Sequence, residues 1–353
     1  MTGEYSPFSH LHPGDKVLLA FSGGIDSTIA AHLCKNAGLD VHAVYMCFLP
    51  EKDNRKKVRQ AADALGIELD FLDLQQEFRN DVMLPCWRVF ESGKTPNPCA
   101  ICNPVFKFGK LMQYAQQNGC KALVTGHYAK LQDGILSRGT HRAKDQSYFL
   151  FRLTTEQRNF SCFPLGAMTK DQVRQLADQL GLPNAKAKES QDACFTPSTG
   201  TLAEMLQKEF SGRIRRGNFI HRETGKKLGL HQGIHAYTIG QRKGTGVALG
   251  TPAYVQKIDC CNCNIYLSTQ EASLFSDKLS VEGVNWHKTP VPEGPFRADV
   301  QIRYRTPAAP ALVIPSGADR CEIVFDSPVR AITPGQAAVF YEGEMLLGGG
   351  FIC

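Results

Sequence analysis

The chain has 353 residues, 40 Lys and Arg against 34 Asp and Glu for a net charge of +6, 42% apolar residues, 20 Phe, 32 Gly and 13 Cys. At about 100–200 residues per domain this length suits two or three domains with cores of their own, and the composition excludes a disordered or collagen-like chain. No apolar run reaches the roughly 18 residues that cross a bilayer, and the start, MTGEYSPFSHLHPGD, lacks the basic-then-apolar layout of a secretory signal. We therefore expect a cytoplasmic protein with no membrane partner. Cysteines stay reduced in that compartment, so a purposeful pair is expected to be catalytic, redox-active or metal-binding rather than a staple.

In chain order, Lys16–Phe21 reads as a buried strand, followed by Ser22-Gly23-Gly24-Ile25-Asp26-Ser27 and a helix from about Thr28 to Ala37. Val41–Phe48 is a second strand, Arg55–Leu65 a helix stopped by Gly66, and Leu69–Leu72 a third strand. Phe106–Gln117 is expected to be helical, and Ala122–Thr125 is a short strand running into Gly126-His127. Strands alternating with helices imply an α/β, doubly wound parallel sheet. Ligands in such sheets gather at the carboxyl ends of strands, where SGGIDS and TGHY both fall.

From about Pro197 the texture changes. A Gly-rich basic segment follows, and from about Leu274 short alternating strands (Arg297–Tyr304, Ala311–Ile314, Arg320–Phe325, Ala337–Tyr341, Glu344–Phe351) are separated by turn signals, the pattern of a small barrel or sandwich. We expect domains at 1–197, 198–272 and 273–353. Residues 201–260 hold ten basic side chains against four acidic ones, so the whole net charge of +6 resides there. Such a local excess suits either a polyanion partner or a solvated basic face.

SGGIDS follows a strand and opens a helix. Its glycines let backbone approach an anion, and successive N–H groups with the helix N-terminus supply donors and positive potential for phosphate. It is neither a Walker A loop nor a dinucleotide GxGxxG. Two polar loops carry cysteines: Thr95-Pro-Asn-Pro-Cys99-Ala-Ile-Cys102-Asn103, and Glu189-Ser-Gln-Asp-Ala-Cys194-Phe195. Exposed loops favour a reactive thiolate, whereas Cys34, Cys120 and Cys321 read as small buried hydrophobes.

SGGIDS, TPNPxxxCN, TGHY, KDQSYFL, SQDACF, IGQRKG, the RYR of Arg303–Arg305 and TPGQAAVFYEGEMLLGGG occur together and in order. Over essentially the whole chain this resembles the tRNA-specific 2-thiouridylase (MnmA/TrmU) family of the ATP pyrophosphatase superfamily. The resemblance implies a pyrophosphatase domain, a small central domain and a C-terminal β-barrel. It implies an enzyme that adenylates the C2 oxygen of the wobble uridine of tRNA with ATP and replaces that oxygen by sulfur. Cys194 would carry the sulfur as a persulfide, supplied by a sulfur-donor protein, with Cys102 as partner thiol. The pyrophosphate loop would be Ala20, Phe21, Ser22, Gly23, Gly24, Ile25, Asp26 and Ser27, with Asp26 a partner for Mg2+ and Met46 and Gly126 near the adenosine. Asn97, Pro98 and Cys99 would meet the target base. Lys144, Asp145, Gln146, Arg303, Tyr304, His127 and Gln336 would meet the tRNA, whose anticodon bases are read splayed out and gripped at their edges. For His127 a structural role, and for Tyr304 a place in the barrel core, are the competing readings.

One departure matters. The family often has aspartate at the position of Cys99, where it would assist Cys102. With Cys99, Cys102 and Cys194 the chain has a CxxC and a remote cysteine, the set that related tRNA thiolases use for a 4Fe–4S cluster with one open iron. Persulfide relay and cluster chemistry both remain open on sequence. Another adenylating enzyme of the superfamily and a non-catalytic sulfur-relay or tRNA-binding protein are the readings from other classes. Cys260-Cys261-Asn262-Cys263 lacks the spaced second pair of a zinc site and reads as a surface hairpin.

Overall fold

Five parallel strands form the sheet that positions the N-terminal loop. Lys16–Ala20 (β1), Asp40–Cys47 (β2), Glu68–Asp73 (β3), Ala122–Val124 (β4) and Ser161–Cys162 (β7) lie in the order β3-β2-β1-β4-β7. Between the last two, Ala129–Gln132 (β5) and Ile135–Arg138 (β6) form a hairpin. The computed structural model describes residues 5–50, 54–182, 194–197, 199–287 and 291–353. Glu189 to Ala193 of the second cysteine motif lie outside them. The chain divides into two units, one of Met1–Arg79, Cys99–Ala193 and Glu342–Leu347, the other of Asn80–Pro98, Cys194–Tyr341 and Gly348–Cys353.

In the first unit the sheet is covered on both sides. Val17, Leu19, Val41, Ala43 and Leu69 pack with Ala30 and Cys34 of helix α1 (Ile25–Asn36) and with Val58 and Ala62 of helix α2 (Arg55–Leu65). Val58 and Ala62 are the buried stripe, four residues apart, of an otherwise polar α2. That helix ends at Gly66 in the left-handed conformation glycine favours, φ +58°. The other side of α1, with Ile25 and Ile29, packs on Tyr128, Leu165, Val173 and Ala177, the last two from helix Lys170–Gln179. α1 begins three residues earlier than the sequence pattern suggests. Gly24 is extended and serves as N-cap, and the hydroxyls of Ser27 and Thr28 donate back to its carbonyl at 2.9 and 3.0 Å. Residues 106–117 are helical as expected, but the helix starts three residues earlier and Asn103–Lys110 is π-helical before an α-helix at Leu111–Gln117. Pro104 has no N–H for a tight turn, and a Cβ on Gly109 would sit 2.8 Å from the Pro104 carbonyl oxygen.

In the second unit, Gly217–His221 (β8), Lys227–His231 (β9), Tyr254–Asp259 (β10) and Asn264–Ser268 (β11) form a sheet in the order β10-β11-β8-β9 around Phe219, Ile234, Val255, Ile265 and Leu267. The remaining strands are Phe275–Trp286 (β12), Phe296–Gln301 (β13), Ala309–Pro315 (β14), Arg320–Arg330 (β15), Ala337–Glu342 (β16) and Met345–Ile352 (β17). They run β12-β15-β14-β13-β16-β17, and β12 also pairs with β17, closing a six-stranded barrel. The expected short strands are all present. The long β12 was hidden in the sequence because only Leu279, Val281 and Val284 face inward and its register slips near Gly283 (φ +61°). Residues 80–98 group with this second unit, although they precede the cysteine helix in the chain.

Candidate functional site

The loop of residues 20–27 runs from the carboxyl end of β1 into α1. Ala20 and Phe21 continue the strand, with the Phe21 N–H bonded to the Val44 carbonyl at 2.9 Å. Ser22 and Ser27 brace the turn: the Ser22 N–H donates to Ser27 Oγ at 3.3 Å, the two hydroxyls lie 3.2 Å apart, and the Gly24 N–H donates to Ser22 Oγ at 3.4 Å. Gly23 needs to be glycine, since its φ is +69° and a Cβ would sit 3.2 Å from Val58. No side chain caps α1, so its first turn presents backbone donors and the positive end of the helix dipole. Such an arrangement suits an anion without a lysine in the loop.

Asp26, in the first turn of α1, does not stand alone. Its Oδ1 accepts from the Lys170 ammonium at 2.7 Å and from the Tyr128 hydroxyl at 2.6 Å. Lys170 is 3% exposed and its Nζ also lies 5.6 Å over the Tyr128 ring. Gly126 lets the loop after β4 pass close to α1, since a Cβ there would sit 3.2 Å from the Asp26 carbonyl. Met46 lies half-buried near the end of β2. The structure thus gathers 20–27, Met46 and Gly126 in one unit, at the carboxyl ends of β1, β2 and β4. Lys170 and Tyr128 were missed by sequence reasoning. The local signal at Lys170 was only the capping box of Thr169 and Gln172 that starts its helix.

Cys99 and Cys102 are three residues apart on the short helix Pro98–Cys102, Cys99 half-buried and Cys102 7% exposed. Cys194 is exposed and belongs to the other unit. Asn97 is buried, and Gln336 holds the segment before it, donating from Nε2 to the carbonyls of Thr95 at 3.1 Å and Pro96 at 2.8 Å. The Thr95 N–H donates to Pro334 O at 2.9 Å, and its hydroxyl lies 3.0 Å from that of Thr238. Arg303 bonds to the carbonyls of Ile239 at 3.0 Å and Ala331 at 2.8 Å and to the Thr333 hydroxyl. Tyr304 is half-buried, and its carbonyl accepts from the Gln301 amide at 2.8 Å.

Three other residues occupy more interior positions than their motifs suggest. His127 is buried between Phe108 and Phe163 with Nδ1 2.7 Å from the Thr125 hydroxyl. Burial, with Lys107 adding to it, pushes its imidazole well below the usual range. Asp145 is 6% exposed and accepts from the N–H groups of Gly139 and Ser147, both at 3.0 Å, from Ser147 Oγ at 2.9 Å, and from Arg138 at 3.3 Å. Gln146 accepts from the Tyr128 N–H at 3.0 Å, while Lys144 is half-buried at the end of a 3-10 turn. Cys260, Cys261 and Cys263 form the turn between β10 and β11, which Asp259 holds through the N–H groups of Cys261 and Asn262 at 3.0 and 3.2 Å.

A parallel sheet with a glycine loop running into an uncapped helix end, followed by a small sheet domain and a closed barrel, defines a multidomain α/β protein of the nucleotide-binding type. Family models agree in layout. Residues 15–198 match a tRNA methyl transferase HUP domain, 203–269 a tRNA methyl transferase PRC-barrel domain, and 276–352 an aminomethyltransferase beta-barrel domain. The chain is 42% identical to the tRNA-specific 2-thiouridylase MnmA of Syntrophotalea carbinolica, over 95% of this chain and 98% of that one. It is 38% identical to the protein of the same name from Trichormus variabilis, over 96% and 98%. A third, from Picosynechococcus sp., is 40% identical over 96% and 98%. The chain belongs to the tRNA-specific 2-thiouridylase family.

Proposed function

We propose that this chain is an ATP-dependent tRNA sulfurtransferase that converts the wobble uridine into 2-thiouridine and releases AMP and pyrophosphate. The observation that carries it is the loop of residues 20–27, braced by Ser22 and Ser27 against an uncapped helix end, in a chain of this family that also carries the two cysteine motifs. The triphosphate would lie on the backbone donors of the loop, with Met46 and Gly126 beside the adenosine. Asp26 has a partly exposed carboxylate, a hard oxygen donor that suits Mg2+; bound there, the ion would neutralise phosphate charge. Attack of the uridine C2 oxygen on the α-phosphorus expels pyrophosphate and turns a poor leaving group into AMP.

A donor protein would load sulfur on Cys194 as a persulfide. Its terminal sulfur attacks C2, AMP departs with the oxygen, and the Cys102 thiolate attacks the Cys194 sulfur. This leaves sulfur on the base and a Cys102–Cys194 disulfide, which a cytoplasmic thiol reduces. Cys102 is 7% exposed, so its thiol is sheltered from bulk solvent. Asn97 and Pro98, beside the segment that Gln336 clamps, would face the base. Lys144, Gln146 and the loop of Arg303 and Tyr304 would meet RNA. Among the described residues no three His, Cys, Asp or Glu side chains are gathered as a metal site, and we derive no step through an iron–sulfur cluster. We assign adenylation to residues 1–197, tRNA binding chiefly to the basic 198–272, and the barrel to 273–353. No helix among the described residues is long and apolar enough to cross a membrane; the need for reduced thiols supports a cytoplasmic site.

The test is mass spectrometry of tRNA nucleosides after incubation with ATP, Mg2+ and a sulfur donor. Wild-type protein should yield 2-thiouridine. Cys102→Ser and Cys194→Ala should bind ATP and tRNA yet yield none, and Asp26→Ala should form no AMP. Normal thiolation by Cys194→Ala would refute the relay. Activity should survive a chelator and Cys99→Asp; loss of activity together with bound iron in Cys99→Ala would assign the cluster instead.

A further inference from the structure

We infer that Lys170 is a positioning residue of the ATP site: it cancels the charge of Asp26 so that the loop of residues 20–27 can accept a polyanion. The inference rests on that loop being the phosphate site. The loop contains no cation of its own, and its attraction for phosphate comes from backbone dipoles equivalent to roughly half a charge at the helix end. Asp26 sits in the same turn with a full negative charge. Alone, it would more than offset the helix end and repel the triphosphate.

The geometry supplies the compensation. Lys170 Nζ is 2.7 Å from Asp26 Oδ1, and the Tyr128 hydroxyl donates to the same oxygen at 2.6 Å. Lys170 is 3% exposed whereas Asp26 is 35% exposed, so the ammonium is buried while the carboxylate keeps access to solvent. Placement is rigid at both ends. Lys170 is the first residue of a capped helix whose Val173 and Ala177 pack against Ile25 and Ile29 of α1. Its N–H donates to His141 Nδ1 at 2.8 Å. A buried lysine is costly unless paired, and pairing it with the acid of the phosphate loop solves two desolvation problems at once. The loop then keeps the net positive potential of its backbone, while Asp26 retains an oxygen edge toward solvent.

The distinguishing experiment is a charge cycle read as affinity for ATP without Mg2+ by calorimetry, on the full chain, with circular dichroism to check folding. Lys170→Met should weaken ATP binding at least tenfold, while Lys170→Arg stays near wild type. Asp26→Asn should bind ATP as well as wild type or better. The double variant Asp26→Asn with Lys170→Met, which removes both charges, should recover most of the lost affinity, yet form no AMP if Asp26 is needed for turnover. A folded double variant that binds as poorly as Lys170→Met would overturn the inference, because Lys170 would then act on ATP directly or only through packing. Wild-type affinity in Lys170→Met would overturn it too. Ser22→Ala with Ser27→Ala tests the premise separately: unchanged ATP affinity there would refute the phosphate-loop assignment, whereas weakened affinity there with a normal Lys170→Met refutes only the role of Lys170.

Discussion

Replacing Asp145 by alanine separates a residue that touches RNA from one that shapes the loop that does. Its carboxylate is 6% exposed and accepts four hydrogen bonds, two from backbone N–H groups at 3.0 Å, one from Ser147 Oγ at 2.9 Å and one from Arg138 at 3.3 Å. Arg138 is itself only 14% exposed on its side chain. Removing one member of a buried ion pair costs about 3–5 kcal/mol, because the other is left buried and uncompensated. Arg138 has some access to water, so the lower end applies, about 3 kcal/mol. Local opening of residues 137–150 should therefore become about a hundredfold more frequent, at 1.4 kcal/mol per factor of ten. Hydrogen exchange of peptides from this segment measures it directly. Tryptophan fluorescence would not, since both tryptophans, Trp87 and Trp286, lie in the other unit. tRNA affinity should fall in step with the loss of protection, and Asp145→Asn, which keeps part of the network, should be milder in both. Unchanged exchange in Asp145→Ala accompanied by weak tRNA binding would refute this reasoning and assign a direct RNA contact.

The structure also refines the basic segment. Arg215 bonds to the carbonyls of Glu91 and Cys260, whereas Arg213 and Arg216 are exposed. Arg213→Ala with Arg216→Ala should flatten the salt dependence of tRNA binding by about 0.7–0.9 for each phosphate that is no longer neutralised, without changing ATP affinity; an unchanged slope would mean these side chains face only solvent. His127 gives a pH dependence. Its folded form resists protonation through burial, while the unfolded chain takes up a proton near the reference value of 6.5. Stability of the first unit is therefore complete above about pH 6.5 and declines as pH falls below it. His127→Gln should flatten the urea midpoint between pH 7 and 5 if circular dichroism shows it folded. Gly126→Ala would place a Cβ 3.2 Å from the Asp26 carbonyl, a strain of about 1–3 kcal/mol. ATP affinity should fall while tRNA affinity stays, and equal ATP binding would show that the loop after β4 yields freely.

Local rules carried the first half of the fold. Periodicity located β1 to β4, Gly66 ended α2, and SGGIDS marked the turn from β1 into α1, because each depends on neighbours within a few residues. The six-stranded barrel was legible in its short alternating strands but not in β12, whose inward positions are too few and whose register changes at Gly283. The environment of Asp26 had no sequence signature at all. Lys170 meets it across 144 residues, since what brings them together is the packing of two helix faces. Gln336 and Arg303 carry the same lesson. They stand in recognisable motifs, yet Gln336 bonds backbone 240 and 241 residues away and Arg303 ties residues 239, 331 and 333. Which chemical groups the chain carries, and which short elements hold them, could be read along the residues one after another. Which charges are buried together emerged only from packing in three dimensions, because desolvation and pairing depend on distance in space and leave no periodicity along the chain.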